Sequence, residues 1–127
     1  MNETQLGDFG PEGQDYVLIP SASGAHAKGD LVYEAPYYGY ALASVADGDP
    51  YVLVIEHHAA CTKKKTGSEV LALGSIVEFV AAGEGETTAT VQAHSAGVKI
   101  GDVVVASGAT DDGAMVMLRP HYYLAHD

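Results

Sequence analysis

Tryptophan is absent, cysteine occurs once, and six Lys and Arg stand against seventeen Asp and Glu. Each shortage excludes something. A lone cysteine, Cys61, allows no intramolecular disulfide, so the fold is not expected to rely on an oxidising compartment. A net charge of −11 repels phosphate backbones, whose neutralisation supplies most nucleic-acid affinity, so no nucleic-acid partner is expected. No apolar run approaches the roughly 20 residues of a membrane helix, so no membrane partner is expected either. The opening Met1-Asn2-Glu3-Thr4-Gln5 has neither a basic nor an apolar stretch, which predicts no signal peptide and synthesis in a cytoplasm. With two phenylalanines and no tryptophan, the core falls to Val, Ala, Leu, Ile and Tyr.

What is present is turn chemistry. The chain of 127 residues carries fifteen glycines and is 47% hydrophobic. No window holds a sustained helical apolar period. Ala96-Gly97-Val98-Lys99-Ile100-Gly101-Asp102-Val103-Val104-Val105 reads as a turn at Gly101-Asp102 feeding a β-branched strand. Its outline returns closely at Ala27-Lys28-Gly29-Asp30-Leu31-Val32-Tyr33, and more loosely at Leu73-Gly74-Ser75-Ile76-Val77-Glu78. In each, glycine is read as supplying a tight or left-handed turn at little steric cost.

Taken in order, residues 1–14 read as a polar, flexible arm with Leu6 and Phe9 as its sizeable apolar side chains after Met1. Residues 15–127 read as a single all-β domain. Strands are predicted at Tyr16–Ile19, at Asp30–Glu34 and from Tyr37 to Val45, where Gly39, Ala41 and Ala43 form a small-residue face for close packing. Asp47-Gly48-Asp49-Pro50 is a turn, and Tyr51–His57 is a strand whose consecutive apolar residues predict burial of both faces. Ala59–Ser68, around Lys63-Lys64-Lys65, reads as an exposed loop. Val70–Leu73, the one place for a short helical turn, pairs with Ser75–Val80; Thr87–Ala93 is a half-exposed strand, and Ala114–Arg119 is the last before Pro120. The sum is a small β-barrel or β-sandwich of roughly eight to ten short strands.

Candidate chemistry is thin. His57 and His58 are adjacent and would point to opposite faces of a strand, and His57 to Cys61 crosses the expected loop; no second cysteine or His-Glu-x-x-His completes a zinc pattern. The order Ser95, Gly101-Asp102, Asp112-Gly113 is similar to the β-rich core of self-cleaving Ser-Lys peptidases. The strand that should carry the base, Ala114–Arg119, has no lysine, and arginine stays protonated at neutral pH. Cys61 beside three lysines reads as a bystander thiol. No catalytic residue, metal or cofactor is expected, and the chain is not read as an enzyme.

The Gly29-Asp30-Leu31-Val32-Tyr33 entry, the Gly39-Tyr40-Ala41-Leu42 strand, the Ala46-Asp47-Gly48 turn, the Gly74-Ser75-Ile76-Val77 unit and the closing Val98–Val104 to Met117-Leu118-Arg119 pair together resemble the small β-rich decoration (cement) proteins of tailed-phage capsids. The resemblance spans most of residues 16–119. It implies an SH3-like or β-tulip type of fold and a non-enzymatic protein on the outer surface of the virion. It also implies the major capsid protein as partner and a homotrimeric state. The expected contacts are Leu6 and Phe9 on the capsid, and Tyr122, Tyr123 and Leu124 at a subunit interface, where tyrosine offers large area and a polar tip. The alternative is a soluble ligand-binding β-domain that grips carbohydrate with Tyr37, Tyr38 and Tyr40.

Overall fold

A computed structural model describes residues 15–83, 88–120 and 122–123. The expected arm, with Leu6 and Phe9, lies outside the described residues, as does Leu124. The described residues are all-β, with nine strands in two antiparallel sheets, and neither sheet closes into a barrel. Contacts divide the chain into two compact units, residues 1–58 and 59–127.

The first unit holds β1 (Asp15–Ile19), β2 (Leu31–Glu34), β3 (Tyr37–Ala41) and β4 (Tyr51–Glu56), in the order β1-β4-β3-β2. The apolar run of β4 places it centrally: all its residues but Val52 are buried. One face of the sheet carries the core, formed by Ile19, Ala22, Val32, Ala41, Tyr51, Leu53 and Ile55. The small-residue face predicted for β3 has a steric cause. A Cβ on Gly39 would stand 2.5 Å from the Val54 carbonyl oxygen, so only glycine allows this approach of β3 to β4. β3 is shorter than expected. Beyond Ala41 the Leu42 N–H still donates to the Val52 carbonyl, but the chain then turns at Ala46–Asp49.

The second unit holds β5 (His58–Lys63, starting at the boundary), β6 (Ile76–Val80), β7 (Thr90–Ala93), β8 (Lys99–Val105) and β9 (Gly113–Leu118), in the order β5-β9-β8-β6-β7. Its buried side chains include Leu71, Val77, Val91, Ile100, Val103, Val116 and Leu118. β9 alternates between half-buried and buried along its length, the period-two signature of a sheet with one covered face.

Three sequence expectations are corrected here. The Ala59–Ser68 stretch is not an exposed loop. β5 occupies its first half, and Lys64 is buried at 2% exposure, its ammonium donating to the carbonyls of Glu69 (2.5 Å) and Gly108 (2.9 Å). The lysine run looked solvated because composition does not reveal that two turn carbonyls converge on one ammonium. Lys64 also makes an isolated bridge with Val91, so the two ends of the sheet order touch at one point. Second, Val70–Leu73 is neither strand nor helix: Leu71 makes one bridge to Ser107, then Ala72–Ser75 forms a turn.

Third, Gly101-Asp102 is not a turn. Gly29 and Gly74 do occupy the left-handed region, with φ of 88° and 86°. Gly101 instead lies inside β8, where an added Cβ would collide with the Met117 carbonyl oxygen. The residue type is the same in all three places, and the physical demand differs.

Candidate interaction surface

Among the described residues, one group of partly exposed side chains that suits protein contact lies on the outer face of β6, β8 and β9, while Leu18, Tyr33, Leu42, Val70 and Leu73 are exposed elsewhere. Ile76, Asp102 and Met117 are direct cross-strand partners and so form one row on that face. Ile76 is 38% exposed and Met117 half-buried. Beside the row, the Arg119 Nε stands 3.3 Å from the Asp102 Oδ1, an ion pair without hydrogen-bond alignment. Val105, paired with Met115, extends the apolar character by one row.

The predicted interface tyrosines meet this patch. Pro120, Tyr122 and Tyr123 have helical backbone, and the Tyr123 N–H donates to the Arg119 carbonyl at 3.3 Å. Tyr122 and Tyr123 pack edge to face, with centroids 5.2 Å apart. They divide the work. Tyr123 is half-buried, its phenol pushed up from the ordinary range by burial and then by the Asp102 carboxylate, so it packs on its own sheet. Tyr122 is 46% exposed and presents area outward.

Buried ionisable groups in both units hold loops in place. Glu34 in β2 accepts the Ser23 N–H at 2.8 Å and the Tyr51 hydroxyl at 3.1 Å, with His26 3.7 Å away. Burial alone would raise its pKa; those bonds and His26 more than offset it, and the carboxyl titrates below 4.5. Burial and Glu34 in turn push the Tyr51 phenol far up. Glu78 in β6 does more. It accepts N–H bonds from Ser95 and Gly97, both 2.8 Å, and one from the Gln92 amide at 2.6 Å, with the His94 Nδ1 at 3.2 Å. The Ser95 bond, the Gln92 bond and the further contacts hold its pKa down at about 2, against an opposing contribution from burial. Its side chain thereby fixes the β7–β8 connection. Sequence reasoning missed Glu34, Lys64 and Glu78, since a lone Glu or Lys in a strand carries no signal of where loop amides or carbonyls will fall.

The carbohydrate residues are not brought together. Tyr40 is 2% exposed, Tyr37 packs toward the core, and Tyr38 stacks on Tyr33 at 4.5 Å. Alternation along β3 sends Tyr37 to the face opposite Tyr38 and Tyr40. His57 lies between β4 and β5 with a φ of 57°, and His58 begins β5. No cluster of three or more metal-ligating side chains occurs among the described residues. Cys61 is an exposed free thiol, with its Sγ against Gly113. Ser95 contributes its backbone N–H to Glu78. Among the described residues no helix is long and apolar enough to cross a membrane.

No protein-family model, no curated protein and no solved structure matches this chain.

Proposed function

We propose that the chain is a structural virion protein that binds the outer surface of a tailed-phage capsid and stabilises the shell. The reading includes the major capsid protein as partner, a homotrimer as the bound unit and an SH3-like or β-tulip type of fold. One observation supports it most: the Ile76–Asp102–Met117 row with Arg119 and Tyr122. Met, Tyr and Arg are residue types enriched in protein interfaces; the sheet holds Met117 in register with Asp102 and Ile76, and Arg119 and Tyr122 follow just after β9. The buried carboxylates and Lys64 are engaged in holding loops, a use that suits a rigid clamp. A protein that binds the assembled lattice and not its free subunits stabilises the shell by mass action, and repetition over the shell multiplies weak contacts.

The test is thermal. Emptied heads built from the major capsid protein encoded in the same genome are heated with and without the full chain. Added chain is expected to raise the rupture temperature in a saturable manner. An unchanged rupture temperature at saturating chain contradicts the reading.

A further inference from the structure

We infer that the chain is a tandem repeat of one four-strand module, and that the second copy is interrupted by an inserted segment carrying β7. Without β7, the order β5-β9-β8-β6 of the second unit repeats β1-β4-β3-β2 of the first, strand for strand in chain sequence.

The backbone bonding repeats in detail. The turn bond from Asp30 N–H to the Ala27 carbonyl (3.0 Å) is matched by Ser75 to Ala72 (3.0 Å). Gly29 N–H donates to Ala41 and Gly74 to Val103, both at 2.8 Å. Ala41 returns a bond to Asp30, and Val103 to Ser75. The reciprocal His26–Val45 bridge recurs as Leu71–Ser107, and the Asp49-to-Ala46 turn bond as Asp111 to Gly108. His26 to Leu71 is an offset of 45 positions and Val45 to Ser107 one of 62; the difference, 17 residues, is the length of the insertion, and one further residue between Asp111 and Val116 brings the offset to 63 along the last strand (Leu53 to Val116).

Side chains follow the same frame. Gly29 and Gly74 share the left-handed conformation, and Gly39 and Gly101 share the close approach to a carbonyl of the next strand, Val54 and Met117 respectively. Val32 and Val77, Ala41 and Val103, Leu53 and Val116, and Ile55 and Leu118 are equivalent, and all are buried. Leu31–Tyr40 and Val32–Gly39 recur as Ile76–Asp102 and Val77–Gly101, and the match breaks at the bulge after Val77, where the insertion approaches. Gly101 therefore corresponds to Gly39, and its sequence likeness to Gly29 is a coincidence of the Gly-Asp dipeptide.

The frame also exposes one difference between the copies. Leu31, Tyr40 and Val54 are buried in the first module, whereas their counterparts Ile76, Asp102 and Met117 form the partly open row.

A saturation substitution scan of the full chain, read by protease resistance, tests the repeat. The tolerance profiles over 26–35, 37–49 and 53–56 should correlate best with those over 71–80, 99–111 and 116–119, respectively. Gly39→Ala and Gly101→Ala should fall to the unfolded baseline. Gly29→Ala and Gly74→Ala should each lose only about five- to thirty-fold in the folded-to-unfolded ratio, as left-handed sites with open space around them. A correlation no better in this frame than in shifted frames overturns the repeat, as does a Gly101 profile that matches Gly29 in place of Gly39.

Discussion

Glu78 illustrates how one side chain can fix a loop. Two loop amides, an amide side chain and a histidine converge on a carboxylate that is 5% exposed. Because its folded pKa lies below 4.5, its stabilisation is fully present above 4.5 and is lost as pH falls through about 2. Glu78→Gln should therefore cost about 1–3 kcal/mol in urea denaturation at pH 7, and the gap from the parent should narrow steadily below pH 4.5. A pH-independent gap would show that the loop is held by other groups. Lys64 is the converse case, a cation that satisfies two carbonyls. Lys64→Met keeps the volume and orphans both acceptors, with an expected loss of about 2–4 kcal/mol in the same assay. A loss under about 0.5 kcal/mol, the usual range for surface changes, would contradict its buried placement.

At the scale of elements, the β2–β3 hairpin offers a clean pair. Tyr33 and Tyr38 are direct cross-strand partners with rings stacked at 4.5 Å. A double-mutant cycle with Tyr33→Ala and Tyr38→Ala should return a coupling of about 0.5–1.5 kcal/mol, measured by chemical denaturation. Strictly additive losses would mean that the rings do not interact in solution. Elements whose signal is local were legible in the sequence. β4 announced itself by consecutive apolar residues, and the Gly39 face of β3 by small residues at alternate positions. The second unit was harder. β5 hides behind a lysine run, because the partner of Lys64 is a pair of carbonyls up to 44 positions away. Gly101 misled for a related reason: a Gly-Asp dipeptide does not say whether glycine is needed for a positive φ or for a strand to pass close by. Of the candidate site, Tyr122 and Tyr123 were legible as interface-type residues. Ile76, Asp102 and Met117 were not, since three separate strands bring them into one row.

For the whole molecule, the account makes a claim about association. The proposed trimer should depend on the open row, so Met117→Asp should lower the mass seen by light scattering from three chains to one while the β circular dichroism is kept. An unchanged trimer would remove the row from the subunit interface. The most direct measurement is co-sedimentation of the full chain with emptied heads built from the major capsid protein of the same genome. The account predicts saturable binding at a fixed ratio to capsid subunits, with none to unassembled subunits. A folded chain that stays in the supernatant at every concentration would contradict it.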